Sequence, residues 1–346
     1  MADGLSGWVR RWWQGGGGVV GAVARWAALP LEGVFRLAVA LRNRRLGARS
    51  VAPAIPVVSI GNLTVGGTGK TPVVRWVVDR LREAGVRPAV VSRGYGRDEL
   101  ALHRSWHPEV AVEADPDRVA AVNRAAEAGA QVAVLDDGFQ HRRLGRHLDV
   151  VLLAAETAFP GALLPRGPYR EGPGALARAD LVIVTRKSAP REAAETVAAE
   201  VRRRHRGVPL ATLAFRPGGW CDLDGAGVEP PRSPVYIATS VAWPETVRGL
   251  VAGVAGPATE VTLDPFPDHH EFTPGDVRRV VAAAREAALV VTEKDAVKLR
   301  EPELRGALNG RMVHVMVLEP VWESGRDEVT GALSRLLRDA GLGSPA

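Results

Sequence analysis

Residues 61–72 read GNLTVGGTGKTP, between IPVVSI (55–60) and VVRWVVDRLREAG (73–85). The first flank is aliphatic and β-branched, as a buried strand is. The second repeats its apolar positions at helical spacing. A glycine-rich turn from a strand into a helix can cradle a phosphate, because glycines let backbone N–H groups converge on an anion and the helix adds its dipole. Gly66, Gly67 and Gly69, with Thr68 among them, supply that freedom. Lys70 supplies a charge for the outer phosphates and Thr71 a hydroxyl for magnesium. The usual pattern has a glycine where this chain has Thr64, so the loop is a variant.

Working outward, further strands are expected at PAVVSR (88–93), QVAVLD (131–136), DVVLLA (149–154) and ADLVIVT (179–185). Helical patterns fill 71–84 and 116–128. Apolar runs alternating with helices predict an α/β fold, a mostly parallel sheet of the P-loop NTPase kind with helices on both faces. Such sheets hold ligands at the carboxyl ends of their strands. Asp136 and Asp137 stand at one such end, and adjacent carboxylates there suit a metal ion.

A second set of strands is expected at 208–215, 233–240, 259–264, 288–294 and 311–319, with helices near 244–252, 274–286 and 327–339. RPGGWCDLDGAGVEPPRSP (216–234) reads as a turn or short hairpin. The predicted organisation is an N-terminal amphipathic segment (1–50), a phosphate-loop core (51–215) and a smaller C-terminal α/β part (216–346).

The chain has 346 residues, 46% of them hydrophobic, enough for one large or two ordinary cores. Its net charge of +6 suits phosphate-bearing substrates or anionic surfaces. The basic residues are dispersed, with no aromatic-interleaved basic strand, so nucleic acid is not an expected partner. The single cysteine, Cys221, excludes an internal disulfide and a cysteine-cluster zinc site.

At the N-terminus Arg25, Glu32 and Arg36 interrupt the apolar run, and no stretch of about 18 uncharged apolar residues exists. After Pro30, residues Leu31, Val34, Phe35, Ala38 and Leu41 keep helical spacing, with Arg42, Arg44 and Arg45 following. Trp8, Trp12, Trp13 and Trp26 lie near. Such a helix lies in a membrane interface or packs on its own domain.

Loop and carboxylates together leave three classes open: a small-molecule or lipid kinase, a GTPase switch, and a membrane-surface ATPase that positions other proteins. A GTPase needs an N-K-x-D reader of guanine, and neither TRKS (185–188) nor TEKD (292–295) fits. A kinase needs a group to orient or deprotonate its acceptor. DPFPDHHEFTPGD (264–276) offers the adjacent histidines His269 and His270 in an acidic turn. His103, His107, His141 and His147 read as structural.

GNLTVGGTGKTP, SRGYG (92–96), LDDGFQHRRL (135–144), LLPRGPYREG (163–172), FPDHHEFT (266–273) and VTEKDAVK (291–298) occur in this order. In that order they resemble the tetraacyldisaccharide 4′-kinase family, over nearly the whole chain. The resemblance implies an ATP- and magnesium-dependent lipid kinase. It implies transfer of the γ-phosphate to the 4′-hydroxyl of a tetraacylated glucosamine disaccharide 1-phosphate. The expected partners are that lipid and the cytoplasmic face of the inner membrane, with no obligate protein partner. By the same resemblance Lys70 and Thr71 match the loop lysine and magnesium hydroxyl. Asp136, Asp137 and Glu171 match acidic residues near the metal, and Arg170 would meet phosphate. His269 would pair with an aspartate from a G-D-E-P motif, which here reads GRDEL (96–100) and makes it Asp98. The segment before that aspartate is shortened in this chain, and Leu100 stands where the motif has proline.

Overall fold

The computed structural model describes residues 9, 12–13, 15–94, 96–232, 234–256 and 259–343. Trp8, Tyr95 of SRGYG and Ser233 lie outside that set.

The first strands are β1 Val57–Asn62, β2 Pro88–Ser92, β3 Ala111–Ala114, β4 Val132–Asp136, β5 Leu148–Ala154 and β6 Leu181–Arg186. They are followed by β7 Leu210–Cys221, β8 Val235–Thr239, β9 Val261–Pro265, β10 Ala288–Thr292 and β11 Val313–Ser324. All join in one sheet ordered β3-β2-β4-β1-β5-β6-β7-β11-β10-β8-β9. Every neighbouring pair is parallel except β7 and β11, which run antiparallel. The sheet is therefore two parallel halves of opposite sense, joined by one ribbon. Both ribbon strands have 12 residues, long enough to serve both halves. The limit expected at residue 215 falls inside β7.

The central strands are buried throughout, which their aliphatic runs require. Two helices open the chain, α1 Gly18–Ala27 and α2 Leu29–Gly47. In the first half lie α3 Lys70–Glu83, α4 Arg97–Trp106, α5 Arg118–Glu127 and α6 Arg191–Arg204. The second half holds α7 Pro244–Ala255, α8 Pro274–Ala284, α9 Glu293–Leu299, α10 Pro302–Ala307 and finally α11 Arg326–Asp339. Helix α3 buries Val73, Val74, Val77, Val78 and Leu81 against the sheet. Five such side chains contribute roughly 10 kcal/mol of burial before chain entropy is counted. The last helix returns to the first half, where Val329, Leu333 and Leu337 join the same cluster.

Residues 216–221, read as the start of a turn, instead extend β7. The bulge between Val317 and Leu318 accommodates this Pro-Gly-Gly segment in the ribbon. The hairpin reading holds just beyond, where Asp222 caps a turn by accepting from the Asp224 and Ala226 amides.

Helices α1 and α2 meet at a bend of 46°, and no single helix among the described residues is long and apolar enough to cross a membrane. Their apolar residues point outward. Val19 is 81% exposed, Trp26 73%, and Leu31, Val34, Leu37 and Leu41 are also bare. Two polar residues point inward: Glu32 and Asn43 are buried, while Arg36, Arg42, Arg44 and Arg45 are exposed. Glu32 accepts from the Leu163 amide at 3.0 Å and pairs with Arg166. Of the expected stripe only Phe35 turns toward the body, against the cluster under β5 and β6.

Candidate active site

The phosphate loop leaves β1 at Asn62 and enters α3 at Lys70. Gly69 precedes the helix with φ 88°, and a Cβ there would lie 2.1 Å from the Phe215 ring. Only glycine fits that position. The loop is pinned on both sides. Asn62 Nδ2 donates to Thr68 Oγ1 at 2.9 Å, and Thr185 Oγ1 donates to the Thr68 carbonyl at 2.9 Å. From the neighbouring strand end, Lys187 Nζ donates to the Gly67 carbonyl at 2.7 Å.

The expected metal carboxylates take different partners. Asp136 ends β4, and its Oδ2 lies 3.0 Å from His103 Nε2, both groups buried. Asp137, with φ 61°, turns toward the loop, 3.4 Å from Lys70 Nζ and 2.9 Å from Arg170 Nη1. Burial alone would raise its pKa, but the Lys70 and Arg170 charges outweigh that and hold it at about 2. Glu171 is buried and accepts from Asn43 Nδ2 at 2.8 Å and Arg178 Nη2 at 3.0 Å. Among the described residues no three of these carboxylates converge as a ready-made metal cage. Magnesium does not require one, since it is usually held by one or two carboxylates together with substrate phosphates. The donors here are all oxygen, and Asp137 Oδ1 is a buried oxygen whose contact is the 3.4 Å ion pair with Lys70. The residues fit the ion.

Across the cleft, the structure brings Asp98 and His269 together from 171 positions apart, with His269 Nδ1 3.0 Å from Asp98 Oδ1. Asp98 is the second residue of α4 and is 3% exposed. Gly96 permits the approach, since a Cβ there would stand 2.9 Å from the His269 ring and 2.8 Å from Asp98 Oδ1. Two lysines of VTEKDAVK close in behind. Lys298 Nζ lies 3.2 Å and Lys294 Nζ 3.7 Å from Asp98 Oδ2. Burial opposes ionisation of Asp98, but the His269 hydrogen bond and both ammonium groups overcome it, leaving the carboxyl far below its usual range. The hydrogen bond to Asp98 raises His269 above the usual histidine value.

The lysines are carried by Asp295, which is fully buried at the start of α9. It accepts from Thr239 Oγ1 and Thr292 Oγ1, each at 2.7 Å, and from the Ser240 amide at 2.9 Å. Asp295→Ala strands these donors and is expected to cost about 3 kcal/mol of stability, measured by urea unfolding.

Several of these residues escape a reading of the sequence. Helix α4 buries only Asp98, Leu102 and His103, so its apolar periodicity is invisible. His103, read as structural, bears on Asp136. Lys294 and Lys298 lie in VTEKDAVK, a segment that contributes to the family resemblance without pointing to a role in the site. His270 bonds Asp276 at 3.1 Å, in the cap of α8, rather than facing the cleft.

Comparison with known proteins gives one answer. A family model described as tetraacyldisaccharide-1-P 4′-kinase matches residues 24–105 and 98–337. A tetraacyldisaccharide 4′-kinase of Anaeromyxobacter dehalogenans strain 2CP-1 is 39% identical, over 96% of this chain and 96% of the relative. One from Aromatoleum aromaticum is 35% identical over 78% of this chain and 83% of its own length. The crystal structure of apo-form LpxK from Aquifex aeolicus, in complex with ATP, shares the fold. It has a TM-score of 0.69 at 24% identity and covers 92% of this chain and 99% of that one. On the strength of these matches, the chain belongs to the tetraacyldisaccharide-1-P 4′-kinase family.

Proposed function

We propose that this protein is a lipid kinase. It transfers the γ-phosphate of ATP to the 4′-hydroxyl of a tetraacylated glucosamine disaccharide 1-phosphate, at the cytoplasmic face of the inner membrane. One observation carries the reading furthest. A cavity of about 440 Å³ is lined by Phe35, Val39 and Arg42 of α2 together with Asp136, Asp137, Arg170 and Glu171. A sugar headgroup seated there lies beside Asp137, which pairs with Lys70 of the phosphate loop, and against α2, whose outward apolar residues are bare. Acyl chains leaving the headgroup then follow that helix into the bilayer.

The positions support the following roles. Loop amides and Lys70 hold the outer phosphates and take up charge as the phosphoryl group moves. Asp98 accepts the proton of the acceptor hydroxyl, and His269 orients it and shares its charge. Thr71, Asp136, Asp137 and Glu171 are the residues that would hold magnesium, which neutralises charge across the phosphates when bound. Arg170, paired with Asp137, adds a second cation on the acceptor side.

The test is to supply γ-labelled ATP and the lipid acceptor to the purified protein. Label in the organic-extractable lipid supports the kinase. Label released only as inorganic phosphate supports a positioning ATPase instead. A second prediction concerns the membrane. Combined Leu31→Ser, Val34→Ser, Leu37→Ser and Leu41→Ser replacement is expected to weaken vesicle binding by about a hundredfold or more. The affinity for ATP is expected to stay within about twofold, because these side chains face away from the loop. Co-sedimentation with anionic vesicles and nucleotide titration measure the two.

A further inference from the structure

The two lysines beside Asp98 are held very differently. Lys298 is 6% exposed and anchored by close bonds, its Nζ donating to Ser240 Oγ and to the His270 carbonyl, each at 2.9 Å. Lys294 has no such anchor. Its Nζ stands 3.3 Å from His269 Nε2, 3.5 Å from Glu99 Oε1, 3.7 Å from Asp98 Oδ2 and 3.9 Å from Asp268 Oδ1. Four partners surround it and none is at optimal charge-assisted distance. Its helix also packs beside the one the phosphate loop feeds: Glu293, the residue before it, pairs with Arg75 of α3 at 3.4 Å.

We propose that Lys294 is a further catalytic residue, an ammonium from the second half of the sheet that engages the transferring γ-phosphoryl group opposite Lys70. Before nucleotide binds, it rests among Glu99, Asp98 and Asp268. When the triphosphate occupies the loop, Lys294 exchanges those long contacts for phosphate oxygens. This rests on the kinase reading above.

The exchange has a chemical consequence. Asp98 faces the His269 hydrogen bond and the ammonium groups of Lys294 and Lys298, and each suppresses its proton affinity. Transfer of Lys294 to the phosphate removes one of them when a base is needed. The acceptor proton then passes to Asp98, the sugar oxygen–phosphorus bond forms, and the bond to the leaving diphosphate breaks with its electron pair on that diphosphate. With no triphosphate in place Asp98 stays a poor base.

Lys294→Met keeps the length and loses the charge, and Lys294→Arg keeps the charge. Dissociation constants for a non-hydrolysable ATP analogue and for ADP, both with magnesium, provide a readout independent of any acceptor. For Lys294→Met the expected result is about tenfold weaker binding of the ATP analogue, with ADP within about twofold. Lys294→Arg is expected to recover at least part of the preference. In the lipid assay the kcat of Lys294→Met should fall by about a hundredfold, with the lipid KM little changed. Equal losses for the two nucleotides, or none, would overturn the proposal. Failure of the wild type to label lipid would instead sink the kinase reading and leave the nucleotide comparison to judge Lys294 by itself.

Discussion

Lys70→Ala is expected to lower kcat by about a thousandfold, measured with saturating ATP and lipid acceptor. Lys70 opens α3, and its ammonium is the charge that the loop brings to the outer phosphates. Two nearby cations are committed elsewhere, Arg170 to Asp137 and Lys187 to the Gly67 carbonyl. The fold should hardly notice. The Lys70–Asp137 pair spans 3.4 Å with the aspartate side chain 36% exposed, and such pairs contribute about 1 kcal/mol or less. Asp137 has its pKa depressed to about 2, so its stabilising contribution is full above the ordinary aspartate value and fades as pH falls toward 2. Removing Lys70 raises the lower edge of that window. Wild type and variant should therefore differ by about 1 kcal/mol or less near neutrality and converge in acid, as Asp137 takes up its proton in both. A Lys70→Ala protein with turnover within tenfold of wild type would contradict the assignment of the loop.

Asp98→Asn carries the second large effect, a fall in kcat of about a thousandfold with the affinity for ATP little changed. Asparagine preserves the size and still accepts from His269, but it cannot take a proton from the acceptor. The variant also has a signature in stability. In the wild type His269 has a raised pKa, so its bond to Asp98 stabilises fully below the ordinary histidine range and is lost as pH rises through the raised value. Asp98→Asn removes that slope, and unfolding followed from pH 6 to 9 should be flatter than in the wild type. Unchanged turnover in this variant would require a different proton acceptor.

Much of this architecture is legible in the sequence because the decisive features are local. The strand, glycine turn and helix of 55–85 are adjacent in the chain, and aliphatic runs mark the central strands without ambiguity. What stays hidden depends on contacts between remote segments. Helix α6 buries Ala194, Val197, Ala198 and Val201, a face too small to stand out among its arginines and glutamates. Residues 216–221 carry proline and glycines that signal a turn, and only pairing with β11 makes them a strand. In the site, the loop lysine and paired aspartates could be read from their spacing. The meeting of α4 with α9, which sets Lys294 and Lys298 beside Asp98, could not. Those two segments lie nearly 200 positions apart, and no periodicity within either one reports the other.

Helix α2 shows a row of greasy side chains outward while its Glu32 and Asn43 hold it to the protein, and this bears on how the enzyme can be handled. Trimming the first 47 residues to gain solubility invites itself as a remedy for clumping in plain buffer. The same cut takes away Asn43, which bonds Glu171, and Phe35, Val39 and Arg42, which line the cavity of about 440 Å³. A shortened version that stays clear in solution would thus have an open-sided pocket, and its inactivity would say nothing about whether the bilayer itself takes part in turnover.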